Sequence, residues 1–210
     1  VKLDDFYISK TEITQRQWKE VMTDEPLEDS DEDLLPITNV NWYDAVKFCN
    51  ELSRKEFIRP FYSINGNTVT INPDSIGYRL PTEAEWEFAA RGGKYTKWYK
   101  YSGENTLGEI AWFSLNSKNR LHEVALKKDN ELGLYDMSGN VKEWVWDYYG
   151  DYSYQYQLNP LGPDTGLERV IRGGDFSSGL ELCQTTWRSS MLPQQSDVHL
   201  GFRVVRSRLK

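Results

Sequence analysis

The sequence predicts an α+β domain with two or three helices, a small antiparallel sheet and long loops. Helical periodicity of apolar residues occurs only before residue 93, and between 94 and 168 glycine, asparagine, aspartate and aromatic residues alternate in short clusters. Strand-like runs return near the end of the chain. The 210 residues suffice to bury a core without disulfides, so we expect one domain over residues 1–210.

The first elements follow from β-branched residues and helix caps. Residues 5–14 are rich in β-branched and aromatic side chains, which favours a strand. Thr14 then fits as the N-cap of a helix over residues 15–22. Asn41 can cap a second helix, whose apolar residues recur at helical spacing as far as Leu52.

A hairpin and a third helix are expected next. Two strand-like runs, at residues 61–64 and 69–71, stand on either side of a strong Asn-Gly turn pair at 65–66. Residues 82–85 form a capping box, because a threonine is followed three positions later by a glutamate. The glycine pair at 92–93 ends this helix.

Two strand-like runs, at residues 169–172 and 200–205, flank an irregular segment in the last part of the chain. The segment, residues 173–199, shows no periodicity of its own. A rigid frame on both sides of an irregular segment is a layout suited to displaying a binding surface.

Composition excludes several functions. The net charge is −7 and no basic run occurs, so a nucleic acid partner is not expected. No apolar stretch approaches the ~20 residues of a transmembrane helix. Two cysteines and two histidines are too few for a disulfide scaffold, a four-cysteine zinc site or a histidine-rich metal centre. Cys49 and Cys183 are expected to be packed thiols, and the acidic run 24–33 a solvated loop.

Four blocks of the sequence resemble the formylglycine-generating-enzyme (sulfatase-modifying factor) family, whose fold is a variant of the C-type lectin fold. The blocks occur in the family's order and cover nearly the whole chain: residues 6–14, 78–87 and 133–144, and Arg172-Gly173-Gly174 with Gly201-Phe202-Arg203. The resemblance implies a formylglycine-generating-enzyme-type fold with little regular secondary structure. It leaves function open, because the family includes copper-dependent oxidases, sulfoxide-forming enzymes and binding proteins without chemistry.

The family's oxidases need a pair of cysteines after Gly173-Gly174 to bind copper. This chain has only Cys183 there, with serines at 177 and 178, so no copper is expected. The sulfoxide-forming members require a further histidine-bearing domain, which is absent from this sequence. An oxidase that uses Cys183 remains an alternative, and it requires this thiol to be exposed and reactive.

A structural calcium site is also implied by the resemblance. In relatives the ion lies in the turn of the third block, where the matching residues are Asp136, Gly139, Val141 and Glu143. The alternative is a turn held only by hydrogen bonds that backbone amides donate to the two carboxylates.

The last segment resembles, more narrowly, the variable proteins of diversity-generating retroelements. In that system adenines are randomised, so that an AAC or AAT codon yields many residue types but never a stop. The residues compatible with such codons are Phe176, Ser177, Ser178, Gly179, Leu180, Leu182, Ser189, Ser190, Leu192, Asp197, Val198 and His199. Trp187 and Met191 need other adenine-bearing codons. All fourteen are candidate ligand-binding residues, and an ordinary irregular loop is the alternative.

The sequence thus predicts a non-catalytic protein that binds a protein or other surface ligand through residues 173–199. Exposed Phe176, Trp187, Met191 and Leu192 would anchor the ligand, unless Phe176 and Trp187 belong to the core. We expect a cell-surface or extracellular location, with a lipid anchor on a preceding segment as one route. A structural accessory domain of an envelope complex is a further alternative.

Overall fold

The structure is a computed structural model and describes residues 1–24, 26–72 and 74–208. The α-helices in this part of the chain are α1 (Gln15–Met22), α2 (Trp42–Lys55) and α3 (Glu83–Ala90), and a short 3-10 helix covers Gly93–Tyr95. The strands are β1 (Phe6–Ile8), β2 (Tyr62–Asn65), β3 (Thr68–Ile71), β4 (Tyr78–Arg79), β5 (Lys142–Tyr148), β6 (Arg169–Arg172), β7 (Arg188–Met191), β8 (Leu200–Phe202) and β9 (Val205–Ser207). Helix and strand account for only 16% and 18% of the chain, which confirms the α+β class with little regular secondary structure.

All three α-helices begin at a capping box, and all three helix predictions are confirmed. The side chains of Thr14, Asn41 and Thr82 each accept a hydrogen bond from the backbone N–H three residues later. The side chain at that third position returns a bond to the backbone N–H of the cap, so two unpaired donors are satisfied at each start. Gly92, at φ +83°, follows the last turn of α3 as predicted.

The strands form two small sheets and a hairpin. The larger sheet has the order β7-β6-β5-β8, in which only β5 and β8 are parallel. The smaller sheet has the order β1-β9-β4 and is antiparallel throughout. The hairpin of β2 and β3 is confirmed, but Asn65 pairs with Thr68, so its loop is Gly66-Asn67.

The expectation of loops throughout residues 94–168 is wrong at β5, the longest strand of the molecule's described part. Most of its residues are buried, including both Trp144 and Val145 on opposite faces. A strand covered on both sides has no alternation of apolar and polar residues, and periodicity therefore gave no signal.

Two strand boundaries also differ from the prediction. The strand expected over residues 5–14 is confined to β1, and Thr14 makes only an isolated bridge to Pro36. The run expected over 200–205 divides between β8 and β9, which belong to different sheets. The short run Arg203-Val204 therefore connects the two sheets.

The core joins the helices to the larger sheet through aromatic rings. Trp42 on α2 donates its indole N–H to the Val145 carbonyl at 2.9 Å, and Trp144 donates to the Val40 carbonyl at 3.0 Å. These bonds remove the cost of burying the two indole donors. Cys49 lies in this core, as predicted, and is fully buried. No helix in the described residues is long and apolar enough to cross a membrane.

Candidate ligand-binding surface

The backbone of residues 175–187 is fixed mainly by residues from other parts of the chain. The hydrogen bonds from outside are Phe176 N–H to Asn140 O (2.8 Å), Ser117 Oγ to Phe176 O (2.6 Å), Ser114 N–H to Ser178 O (3.0 Å), Ser138 Oγ to Cys183 O (2.8 Å) and Thr185 N–H to Lys100 O (3.2 Å). Inside the segment, two buried side chains also hold the backbone: Ser178 Oγ accepts the Asp175 N–H at 3.0 Å, and Asp175 Oδ1 accepts the Ser177 N–H at 2.7 Å. None of these bonds uses an exposed side chain, so the path of the segment does not depend on its exposed side chains.

Arg172, at the end of β6, holds the second half of this segment. Its guanidinium donates to the backbone carbonyls of Thr185, Thr186 and Trp187 and to the carboxylate of Glu87. The side chain is completely buried. An irregular segment has no neighbouring strand to accept or donate its backbone hydrogen bonds, and the Arg172 guanidinium supplies donors for three of its carbonyls instead. The side chain of Trp187 stays exposed although its carbonyl is bound.

Two glycines of the segment differ in the space around them. A Cβ on Gly174 would lie 2.8 Å from the Leu182 carbonyl oxygen and 2.9 Å from the Cys183 Sγ, and its φ is +72°. A Cβ on Gly179 would meet no atom within 4 Å. Gly174 is therefore required by the packing, whereas position 179 accepts a side chain.

The fourteen candidate residues divide into three groups by exposure. Those exposed form what we call the display surface: Ser177, Gly179, Leu180, Trp187, Leu192 and Val198. The half-buried ones are Leu182, Ser189, Ser190, Met191, Asp197 and His199. Phe176 and Ser178 are buried, so the expectation of an exposed Phe176 anchor is wrong, whereas Trp187 is 41% exposed.

The expectation that residues 173–199 lack regular structure is wrong at β7. Four side-by-side pairs with β6, from Arg188–Arg172 to Met191–Arg169, make β7 the edge of the larger sheet. Met191 packs against the core, and Ser190 Oγ donates to Glu168. Two of the four residues of β7, Ser190 and Met191, therefore contact the rest of the protein and do not belong to the display surface.

A polar cluster links the beginning and the end of the candidate segment. The Lys142 Nζ lies 3.2 Å from Asp175 Oδ2 and 3.9 Å from Asp197 Oδ2. The rings of Phe176 and His199 lie 4.7 Å apart, which brings Ser177 and Val198 to the same region. Sequence analysis missed Lys142 because its role depends on contacts between distant segments.

A second cluster ties β7 to α3 and to a tyrosine-rich loop. Arg188 donates to both carboxylate oxygens of Glu83 and to the Gly150 carbonyl. Its guanidinium lies over the rings of Tyr149 and Tyr152, at 4.5 and 4.3 Å. These residues lie far apart in the sequence, and the fold brings Arg188 together with Glu83, Gly150 and the two tyrosines.

The turn expected to hold calcium is stabilised by hydrogen bonds. Arg203 donates through Nε and Nη2 to the Glu143 carboxylate, which also accepts the indole N–H of Trp86 at 2.8 Å. Asp136 Oδ2 accepts the Ala125 N–H at 2.8 Å, and its Oδ1 has no partner in the described structure. A calcium ion would fit this donor set only if Glu143 moved away from Arg203.

Glu12, fully buried, lies close enough to these carboxylates for their charges to interact. Neither of its carboxylate oxygens has a hydrogen-bond partner among the described residues. Burial, followed by the charge of Asp136, raises the pKa of Glu12 well above its usual value. Burial also raises the pKa of Asp136 to about 6. Relative to the unfolded chain, the folded state therefore favours the protonated form of both carboxyl groups.

Cys183 lacks the features of a reactive thiol. It is buried against Gly174, and burial followed by the charge of Asp175 raises its pKa to about 12. Cys49 is also buried and unpaired. No group of three or more histidine, cysteine, aspartate or glutamate side chains in the described residues is arranged to hold a metal ion.

The fold and this site define the class of protein to which the chain belongs. Residues 1–208 match the sulfatase-modifying factor enzyme 1-like domain, and the chain is a member of that family. It is 37% identical to the chaperone protein LppX of Paenibacillus barcinonensis, over 99% of this chain and 82% of LppX. The solved structure of Treponema denticola variable protein 1 matches with a TM-score of 0.88 and 34% identity, over 99% of this chain and 86% of that one.

A formylglycine-generating enzyme from Streptomyces coelicolor is a further relative. It is 35% identical over 69% of this chain, and the alignment spans about half of the enzyme, 51%. The family and the resemblance to variable proteins are therefore both confirmed. The relatives include proteins named as enzymes and proteins that are not.

Proposed function

We propose that the chain is a non-catalytic binding protein that presents the display surface to a protein or other surface ligand. The observation that carries the proposal is the fixation of residues 175–187 by Arg172 and by donors outside the segment. A surface held in this way tolerates exchange of its exposed side chains, because its backbone does not depend on them. The similarity to a variable protein supports the same conclusion.

Absence of catalysis is part of this proposal. The enzyme alternative needs an exposed and reactive Cys183, but this thiol is buried and its pKa is raised to about 12. A thiol of this kind is almost entirely protonated near neutral pH, whereas the thiolate is the reactive species. We therefore expect slow alkylation of Cys183 by iodoacetamide in the native protein.

A second candidate function is assistance to the folding of another protein. It is favoured by the 37% identity to LppX, which is named as a chaperone and aligns over 99% of this chain. A chaperone binds another polypeptide, whereas the first candidate binds a protein or other surface ligand, and the two differ in whether the display surface changes between clones. The sequencing experiment below separates them.

Two further parts of the proposal concern location and calcium. We propose a cell-surface or extracellular location, which fractionation of the source cells tests directly.

We also propose that any calcium bound near Asp136 and Glu143 is structural. An increase in the thermal midpoint when calcium replaces EGTA would support this site, and equal midpoints would contradict it.

The experiment that tests the proposed function is deep sequencing of the 3′ end of the gene across many clones of the source organism. The proposal predicts substitutions at adenine-bearing codons of the display surface and none at Arg172 or Gly174. An invariant segment would remove the diversified surface and favour a fixed partner, as for a chaperone. Substitutions spread equally over residues 1–172 would contradict both readings.

Binding is tested in the same system. A protein array of the source organism's cell-surface proteins can be probed with two natural variants that differ only on the display surface. We expect different ligands for the two variants, although Arg172 and Gly174 are the same in both. Identical ligand profiles would show that the display surface does not determine binding.

A further inference from the structure

β1 has an open backbone edge. It lies at the edge of the sheet β1-β9-β4, and its pairs with β9 are Phe6–Ser207, Tyr7–Arg206 and Ile8–Val205. Ser9 donates to the Val204 carbonyl and Arg208 donates to the Asp5 carbonyl, which fixes the alternation of the ladder. The backbone groups of odd-numbered residues therefore point to β9, and those of Phe6 and Ile8 point away from it.

The chain itself uses this alternation upstream of β1. Lys2 donates to the Gln157 carbonyl and accepts from the Asn159 N–H, in an isolated parallel bridge between Lys2 and Leu158. Asp4 N–H donates to the Asn159 side chain at 2.7 Å. The backbone pairing stops there, because the Asp4 N–H binds the Asn159 side chain instead of its carbonyl and Asn159 turns the chain at a φ of +46°. Phe6 and Ile8 have no such backbone partner in the described residues.

A groove of about 1190 Å³ runs beside this edge. Its walls are β1, the segment 150–163 and the side of α3 that carries Ala84 and Phe88. Helix α3 has eight residues and so spans ~12 Å at ~1.5 Å per residue, the length of about four extended residues. The wall that α3 forms is thus long enough for a short added strand.

Three large apolar side chains that line the groove are exposed. Phe88 is 42% exposed, Leu132 36% and Trp98 77%. Trp98 also has a φ of +60°, a conformation that costs a bulky residue free energy. An apolar wall next to unpaired N–H and C=O groups is the arrangement that binds extended peptides by strand addition.

The charges along the groove indicate which charged residues a bound peptide should carry at its two ends. Glu83 and Glu87 are neutralised by Arg188, Arg172 and Arg91. Asp151 follows Gly150, whose carbonyl is bound by the same Arg188 that pairs with Glu83 at the start of α3, and its carboxylate has no ion-pair partner among the described residues. Lys94, just after the end of α3, also lacks an acidic partner there and lies over the Tyr95 ring at 5.0 Å. A basic residue at the first end and an acidic residue at the second would complement these charges.

We propose that β1 binds an extended peptide of another protein as an added strand in this groove. Alternate apolar side chains of the peptide contact Phe88, Trp98 and Leu132, and its backbone pairs with Phe6 and Ile8. The site goes beyond the proposed function, because none of these residues belongs to the display surface. It adds a sequence-tolerant site for polypeptide to the surface that selects a particular ligand.

The test uses two fluorescein-labelled heptapeptides, Lys-Val-Thr-Phe-Thr-Val-Glu and the same peptide with its two charged residues exchanged. The peptide that binds more tightly is used as the probe, because an added strand can run parallel or antiparallel to β1. Two further versions carry N-methyl groups on alternate residues, so that each removes the backbone donors of one side only. One version should lose at least about tenfold in affinity and the other should bind like the probe.

Variants of the protein place the peptide in the groove. Trp98→Ala should weaken binding of the probe at least about fivefold, by loss of apolar contact. Phe57→Ala is the matched control, because Phe57 is also aromatic, 99% exposed and at φ +58°, but lies outside the groove. Leu180→Ser changes the display surface and should leave binding of the probe unchanged.

Several outcomes would overturn the proposal. They are absence of binding at about 1 mM peptide, equal effects of the two N-methylated versions, and equal effects of Trp98→Ala and Phe57→Ala. Dimerisation in sedimentation velocity that Trp98→Ala abolishes would show that a second copy, not a foreign peptide, occupies β1. If the probe binds as expected but the codons for residues 173–199 prove invariant between clones, the proposal of a diversified display surface is rejected and the proposal of a peptide site at β1 stands.

Discussion

Gly174 and Gly179 belong to the same irregular segment, yet their surroundings are opposite. Gly174 lies against Leu182 and Cys183 with no space for a Cβ, whereas Gly179 faces open solvent. The first belongs to what we call the frame: Arg172, Gly174, Cys183 and the outside residues that bond the backbone of 175–187. The second belongs to the display surface. The fold thus separates residues that determine the backbone from exposed residues, which in the proposed function contact the ligand.

The largest expected effect concerns the buried pair that supports the larger sheet. Arg203→Met removes the partner of Glu143, a fully buried carboxylate, and the bonds to the carbonyls of Ser9 and Tyr135. We expect a loss of about 3–5 kcal/mol in the free energy of unfolding, measured by urea denaturation. Arg208→Met, at an exposed pair with Asp5, should change it by less than about 0.5 kcal/mol. Similar losses for the two variants would contradict the assignment.

The pH dependence of the free energy of unfolding tests the buried Asp147 carboxyl, which holds the start of α3. Burial, chiefly, raises the pKa of Asp147 to about 7, and its carboxylate accepts the Glu83 N–H at 2.7 Å. The folded state therefore favours the protonated form, so this contribution is complete below about pH 4 and is lost as pH rises through about 7. Asp147→Asn keeps the acceptor and removes the titration.

The free energy of unfolding of Asp147→Asn, relative to the unsubstituted protein, should therefore rise between about pH 4 and pH 8, by up to about 4 kcal/mol. Urea denaturation at several pH values measures this difference. Asp151→Asn, at an exposed neighbour, is the control and should show no comparable trend. A pH-independent difference for Asp147→Asn would show that the carboxyl is not perturbed.

The two glycines give a direct comparison of frame and display surface. Gly174→Ala introduces a Cβ against the Leu182 carbonyl at a positive φ, and we expect a loss of about 2 kcal/mol. Gly179→Ala meets no atom and should change the free energy of unfolding by less than about 1 kcal/mol, in either direction. Alkylation of Cys183 should become faster in Gly174→Ala alone. Equal behaviour of the two variants would remove the distinction.

The smallest effects are expected on the display surface. Leu180→Ser and Val198→Ser alter side chains that are 48% and 52% exposed. Each should change the free energy of unfolding by no more than about 0.5 kcal/mol while changing ligand binding. Leu182→Ser, at a half-buried neighbour, is the matched control and should cost more. A large loss of stability in Leu180→Ser would place this residue in the frame.

The helices could be predicted from local sequence because their determinants are local. Thr14, Asn41 and Thr82 each mark a capping box within four residues, and Gly92 marks the end of α3. β5 could not be predicted in this way. Its burial on both faces depends on packing of Trp144 with the core residues of α2 and of Val145 with those of α3, which sequence periodicity does not reveal.

The candidate site was predicted as a segment but not as a surface. Residue types compatible with adenine-bearing codons do not distinguish Phe176, which is buried beside His199, from Leu180, which is exposed. The difference arises from bonds to Asn140 and Ser117, far away in sequence. The same holds for the free edge of β1, because it follows from pairing with the other end of the chain.

The most direct test of the separation between frame and display surface compares two libraries. One randomises the six residues of the display surface, and the other randomises six frame residues: Ser117, Ser138, Asn140, Arg172, Gly174 and Cys183. Yeast display with protease challenge then gives the folded fraction of each library. The account predicts that most members of the first library are folded and few of the second. Equal folded fractions would contradict it.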